Sequence, residues 1–124
     1  MKHLLRYGVV IFSFFLMSFI SVTDIINAMK NGNASELSKY FDNTIEITFP
    51  DKSNAYSKSQ AEMVVKDFFN NNSVKNFEVI QQGDNDGTLF FIGTLATTNG
   101  EYRTTFFVKQ KGEKPLLQEI RFEK

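Results

Sequence analysis

Residues 88–109 read TLFFIGTLATTNGEYRTTFFVK and predict two β-strands, 89–97 and 102–109, joined at Asn99-Gly100. Asn-Gly between two apolar runs is the strongest short-range hairpin signal, because a type I′ turn needs positive φ at both central residues. Side chains alternate across a strand, so one face of this hairpin is apolar and is predicted to form the core. That face carries Leu89, Phe91, Leu95, Tyr102, Phe106 and Val108.

Counting outward from the turn predicts the register of this hairpin. Thr97 pairs with Tyr102, and Gly93 lies opposite Phe106. A glycine opposite a large ring leaves room for that ring to cross the bare backbone, which predicts a bend in the sheet.

The composition is that of an ordinary single-domain protein. The 124 residues are 42% hydrophobic and 23% charged, with 14 Phe and no Cys, which predicts one hydrophobic core. Without residues 1–22 the chain has 12 basic and 14 acidic residues. No basic stripe exists to follow a phosphate backbone, so nucleic acid is not an expected partner.

Residues 1–22 are predicted to be a secretory signal, with residues 23–124 forming a single domain. Lys2, His3 and Arg6 make a positive start, and an uncharged apolar run follows, as in signal peptides. The protein is therefore expected to be exported and to be either periplasmic or secreted. An uncleaved inner-membrane anchor is the alternative, because no Ala-x-Ala site follows and the uncharged run reaches the lower limit of about 17 residues for a spanning helix.

Two short helices and a strand are predicted next. Thr23 or Asp24 caps the first helix, and Gly32 ends it. Asn33, with Glu36 three residues later, caps a second helix that ends near residue 42. Residues 44–49 then alternate as a strand at the edge of the sheet.

A long third helix is predicted to pack on the sheet. It follows a loop over residues 51–56 and begins with the capping box Ser57-Lys-Ser-Gln60. Its apolar stripe consists of Ala61, Val64, Val65, Phe68 and Phe69, and residues 70–72 end it. The spacing places this stripe on one helical face, which predicts contact with the sheet.

The second half of the chain predicts a meander of antiparallel strands. Strands at 77–82 and 115–123 flank the central hairpin, with turns over 83–87, 99–100 and 111–115. The expected fold is therefore α+β, with three N-terminal helices packed on a bent antiparallel sheet of about five strands.

Charge predicts the register of the last hairpin. A five-residue loop pairs Gln110 with Leu116 and brings Ile120 and Phe122 into the core. A four-residue loop would instead bury charged side chains, which costs several kcal/mol for each unpaired ion. The five-residue loop leaves four large apolar residues on the outer face of the sheet. These predict a homodimer interface, the alternative being that the chain's own N-terminal strand half covers them. They are Phe90, Ile92, Phe107 and Leu117.

The order of these elements resembles the cone-shaped nuclear-transport-factor-2-like fold, also called cystatin-like. Several short segments are similar to an exported Bacteroidetes family, domain-of-unknown-function family 4783: Leu37-Ser-Lys-Tyr-Phe-Asp42, Ile45-Glu-Ile47, Tyr56-Ser-Lys-Ser-Gln-Ala61 and Phe68-Phe69. The resemblance implies a pocket between helices and sheet, dimerisation across the sheet, and no assigned activity. Members of the wider superfamily include isomerases, dehydratases, hydrolases and ligand-binding proteins, so the fold does not select a function.

Residue content excludes several chemistries. His3 is the only histidine and lies in the predicted signal, and cysteine is absent. Ser-His and Cys-His nucleophiles and ordinary zinc sites are therefore excluded, and no metal or cofactor is expected. Acid–base chemistry by a carboxyl group or tyrosine stays open. The candidates are Tyr40, Glu46, Tyr56, Asp67 and Tyr102, although the tyrosines at 40 and 102 also fit the core and both carboxylates fit solvent-facing positions.

The favoured prediction is an exported, non-catalytic protein that binds a small apolar or peptidic ligand, or an envelope partner. The expected pocket is lined by Tyr40, Phe68, Phe91, Tyr102 and Phe106. An isomerase or dehydratase is one alternative and predicts a buried carboxylate beside a tyrosine. A structural dimerisation module is the other and predicts an interior filled by Phe side chains.

Overall fold

A computed structural model describes residues 22–124, so the predicted signal segment up to residue 21 lies outside the described residues. The helices are α1 (22–30), α2 (Ala34–Ser38) and α3 (Lys58–Asn71). The strands are β1 (Phe41–Phe49), β2 (Lys52–Ser57), β3 (Val74–Asn85), β4 (Thr88–Thr97), β5 (Gly100–Lys111) and β6 (Lys114–Glu123). Within this range no helix has the length and apolar character needed to cross a membrane.

One six-stranded sheet has the order β2-β1-β6-β5-β4-β3. The predicted meander of β3 to β6 is confirmed, because these strands pair antiparallel in sequence. The prediction of about five antiparallel strands was wrong: β1 pairs parallel with β6, and β2 occupies the predicted loop at 51–56. The prediction of an edge position for β1 was also wrong, since β2 covers that side. Five of the six residues of β2 are exposed, so no apolar alternation marks this strand.

The short helices have the predicted end signals. Gly32 has φ +60, and its N–H donates to Met29 O at 3.1 Å, which closes α1. Asn33 caps α2, because its side chain accepts from the Glu36 N–H at 3.1 Å. Two details were wrong: residues 23 and 24 are already helical, so neither is a cap, and α2 ends at Ser38 because the chain enters β1 at Phe41.

The central hairpin is confirmed, but its register was wrong by two residues. The predicted type I′ turn was wrong as well, because Asn99 does not have positive φ; within residues 22–124 Asp86 is the one non-glycine residue that does. Thr97 pairs with Gly100 and Phe91 with Phe106. The Thr97 hydroxyl donates to Gly100 O at 2.8 Å and accepts from the Asn99 N–H at 3.1 Å, which closes the turn one residue earlier. A shift of two leaves every side chain on its predicted face. Gly93 therefore faces Thr104, and the ring that covers it belongs to another strand.

The last hairpin combines the predicted register with a shorter loop. Phe106 pairs with Ile120 as predicted, but Val108 pairs with Leu117 after a register shift. A β-bulge absorbs the extra residue, and strand pairing continues to Lys111 and Lys114. The five-residue loop was therefore wrong, and so was the outward position of Leu117, which is 0% exposed.

Helices and sheet share one core. The capping box of α3 is confirmed, since the Ser57 hydroxyl accepts from the Gln60 N–H at 3.3 Å and the Ser57 N–H donates to the Gln60 side chain at 3.3 Å. The core joins residues of all three helices to the inner face of the sheet. Among them are Ile25, Met29, Leu37, Ala61, Val65, Phe69, Phe91, Leu95, Phe106 and Phe122. The helices thus lie on one face of the sheet.

Candidate ligand-binding groove

Aromatic rings occupy the region where the pocket was predicted. The rings of Phe91 and Phe106 stack with centroids 4.9 Å apart, and Phe106 is 0% exposed. Phe122, also in the core, stacks on Phe68 at 4.5 Å. Phe91 and Phe106 are therefore packing residues, since rings at these separations exclude a ligand from between them.

Tyr102 belongs to a buried polar network at the end of α3. Its hydroxyl donates to Asn72 Oδ1 at 2.9 Å, and its ring contacts Phe68 edge-on at 5.2 Å. The Asn99 side-chain amide donates to the same Asn72 oxygen at 3.0 Å and to Asn71 O at 2.7 Å. The network fixes the last turn of α3 against the β4–β5 turn.

Tyr40 follows α2 and contacts α1 through its hydroxyl. Its hydroxyl donates to a carboxylate oxygen of Asp24 at 3.4 Å, and Asp24 is exposed. Burial, with a further contribution from Asp24, raises the pKa of Tyr40. The hydroxyl therefore stays protonated at neutral pH, which does not suit a general base.

The other candidate catalytic residues do not form a buried constellation. Glu46 and Asp67 are exposed, and the Tyr56 hydroxyl accepts only from Asn54 at 3.4 Å. The buried polar side chains of residues 22–124 are Ser38, Asn72, Thr97, Thr104 and Thr105, with no carboxylate among them. In the same range no three His, Cys, Asp or Glu side chains form a group that could hold a metal ion.

An open groove of about 690 Å³ lies between α3 and the β1–β2 turn; we call it the α3 groove. The rings of Phe49 and Phe68, 5.3 Å apart, contribute apolar surface to it. Met63 adds a side chain that is 72% exposed. The full lining is Phe49, Pro50, Asp51, Lys52, Met63, Val64, Asp67, Phe68, Asn71 and Asn72.

Only Phe68, of the five predicted pocket residues, lines the α3 groove. Asp67, a candidate acid, lines it as well. Met63 was missed because it lies off the apolar stripe of α3, where a side chain is expected to be solvated. A large apolar residue on the polar side of a helix, facing a Pro-containing turn, was the available signal.

The outer face of the sheet is partly covered by its own side chains. The ring of Phe90 lies over Gly83, where a Cβ would be 2.5 Å away. The guanidinium of Arg121 lies 5.6 Å from the centroid of Phe107. Leu117 is not part of this face, since the β-bulge turns it into the core. A homodimer through Phe90, Ile92 and Phe107 stays a prediction.

This arrangement of helices on one face of a sheet defines an α+β protein of the nuclear-transport-factor-2-like, or cystatin-like, class. An NTF2-like protein of unknown function from Cytophaga hutchinsonii is similar with a TM-score of 0.59 at 9% identity, over 82% of this chain and 83% of that one. A cystatin-like domain of unknown function from Nostoc punctiforme is similar with a TM-score of 0.64 at 10% identity, over 84% and 72%. At these identities the likeness concerns the fold alone.

The sequence places the chain more narrowly. The family described as "Domain of unknown function (DUF4783)" matches residues 22–123. The crystal structure of a DUF4783 family protein from Bacteroides ovatus is 39% identical with a TM-score of 0.78, over 82% of this chain and 92% of that one. The chain therefore belongs to the DUF4783 family. No match was found among curated proteins.

Proposed function

We propose that this protein is an exported, non-catalytic binding protein that holds a small apolar ligand in the α3 groove. The observation that carries the proposal is the groove itself, about 690 Å³ in volume, with Met63 72% exposed beside two aromatic rings. Small-molecule sites typically have volumes of about 300–1,000 Å³, and five of the ten residues that line this groove are apolar. Exposed apolar surface gathered in a concave site gains free energy when a ligand removes it from water.

The walls of the groove are held in place before any ligand arrives. Phe68 is stacked on buried Phe122, and Asn72 accepts two hydrogen bonds through one oxygen. A preformed site binds more tightly, because less conformational entropy is lost on association. The titratable side chains of the groove are exposed, as expected for binding rather than for carboxylate-based acid–base chemistry.

Methionine methyl groups offer a direct test of binding. The DUF4783 match spans residues 22–123. Residues 22–124 include two methionines, Met63 and Met29, and Met29 is 0% exposed. In a chain of these residues with ¹³C-labelled Met methyl groups, titration with 1-octanol should shift the Met63 resonance saturably and leave Met29 unchanged. An unmoved Met63 up to the solubility limit of octanol would contradict the proposal.

A pair of variants locates the effect. Val64→Asn adds a polar amide in the groove and should weaken octanol binding by on the order of fivefold, since apolar contact is lost. Ile80→Asn also replaces a β-branched apolar residue with asparagine, at a 65% exposed position outside the groove. It should leave octanol binding unchanged. If both variants weakened octanol binding equally, the Met63 shift would not report binding in the groove.

Export is tested on the protein made in its own cells. The apolar run preceding residue 22 supports export, so the mass of the protein recovered from the cell envelope should lack most of residues 1–22. An intact chain in the membrane fraction would favour the uncleaved anchor. An intact chain in the cytoplasmic fraction would contradict export.

A further inference from the structure

Two carboxylates that line the α3 groove have no ion-pair partner among the described residues. Asp51 comes from the β1–β2 turn and Asp67 from α3, and both line the groove. Neither forms an ion pair within residues 22–124. Lys52 is the one basic residue among those lining the groove. With two aspartates and one lysine in its lining, the groove carries a formal net negative charge.

Three other carboxylates of residues 22–124, those of Glu36, Asp42 and Glu119, form ion pairs. Asp42 accepts from Lys111 at 2.7 Å, and Glu119 accepts from Arg121 at 2.6 Å. A carboxylate left unpaired beside exposed apolar surface is available to a ligand that carries the opposite charge.

We propose that the ligand of the α3 groove is a small cationic amphiphile, an apolar chain or ring that bears an amine or quaternary ammonium group. Its apolar part packs on Phe49, Phe68 and Met63, and its positive charge lies near Asp51 and Asp67. The groove volume suits a small molecule rather than a macromolecular segment. This inference rests on the proposed function, because it adds charge selectivity to the same apolar site.

Three probes with the same eight-carbon chain test the inference: octyltrimethylammonium, octyl sulfate and 1-octanol. The two ionic probes are titrated below their micelle concentrations and 1-octanol below its solubility limit, against the chain of residues 22–124 with the Met63 methyl shift as readout. We expect the dissociation constant of the cation to be about two- to tenfold lower than that of the anion at low salt, because exposed ion pairs are weak. The ratio should approach unity at 0.5 M salt, where screening is strong.

Charge variants assign the selectivity to the groove. Asp67→Asn and Asp51→Asn should each weaken the preference for the cation over the anion. The double variant should abolish this preference without changing octanol binding. Glu62→Gln is the matched control, since Glu62 lies on α3 but does not line the groove, and it should leave the ratio unchanged.

The outcomes separate this inference from the proposed function. Equal binding of all three probes would overturn the charge selectivity and leave an apolar binding site. Failure of every probe to shift Met63 would overturn both. A Met63 shift that follows protein concentration without any probe, together with sedimentation as a dimer, would show a second copy of the chain in the groove and overturn the small-ligand proposal.

Discussion

At the scale of single residues, Gly93 shows how the absence of a side chain fixes the packing of the sheet. A Cβ at this position would lie 2.5 Å from the Glu78 carbonyl oxygen and 2.6 Å from the ring of Phe77. The ring can move only by leaving the core, and the backbone oxygen belongs to the neighbouring strand. The site therefore requires glycine for close approach rather than for backbone conformation.

Gly93→Ala should lower the free energy of unfolding by about 1–3 kcal/mol, the usual cost of overpacking. Gly83→Ala is the matched control, because a Cβ there meets only the half-buried Phe90 ring, which can swing outward. Its cost should be smaller in the same urea titration. A larger loss for Gly83→Ala would contradict the packing described for β3 and β4.

The contribution of Asp42 to folding stability should depend on pH. A hydrogen bond from Lys111 holds the pKa of Asp42 below its ordinary value of 3.8. The ionised form is thus favoured by folding, so its contribution to stability is present above about pH 3.8 and is lost as the pH falls through the lowered pKa. Because Lys111 is half exposed, the contribution should be at most about 1 kcal/mol.

Urea unfolding of Asp42→Asn at pH 6 and pH 2 measures this contribution. The difference in stability from the unsubstituted protein should be present at pH 6 and largely gone at pH 2. Asp86→Asn is the matched control, because Asp86 lies in an exposed turn and forms no ion pair within residues 22–124. A difference for Asp42→Asn that persists at pH 2 would assign the effect to packing instead.

At the scale of elements, the β-bulge in β6 decides which leucine enters the core. Leu117 pairs with Val108 on the inner face, whereas Leu116 pairs with Lys109 on the outer face. Leu117→Ala should therefore cost about 2–5 kcal/mol, as for buried leucines generally, and Leu116→Ala should cost less than about 1 kcal/mol. The reverse order in thermal or urea unfolding would restore the register without a bulge.

Element-scale features differ in how far the sequence predicts them. The alternation of apolar and polar residues predicts which side chains face the core. A register error of two residues does not change these faces, so the core residues of β4 and β5 were predicted correctly. The capping box of α3 and the Asn33 cap of α2 are local, and both were predicted. The edge strand β2 lacks an apolar pattern, and the parallel pairing of β1 with β6 joins residues far apart in sequence. Neither has a local signal, and the bulge that shortens the last loop has none either.

At the scale of the whole molecule, the location of the site depends on volume that a pattern cannot supply. Phe91 and Phe106 were predicted to face inward, and they do. Whether inward-facing rings line a cavity or fill it depends on how the helices sit on the sheet, which alternation does not encode. The rings stack on one another, and the open space lies instead beside α3, where Met63 and Phe68 meet the β1–β2 turn.

Membership of the DUF4783 family establishes the fold but does not assign a function. The same architecture carries catalytic and non-catalytic proteins, so the conclusion rests on side chains. The apolar surface of Phe49, Phe68 and Met63 argues for binding, and the unpaired Asp51 and Asp67 argue for a positively charged ligand.

An apolar ligand is expected to bind in the α3 groove and not among the core rings. Intermolecular NOEs between unlabelled 1-octanol and isotope-labelled protein test it most directly. We expect contacts from the octanol chain to the Met63 methyl group and the Phe68 ring, with no contact to the ring of Phe106. Contacts to Phe106 would place the ligand inside the core and contradict the account.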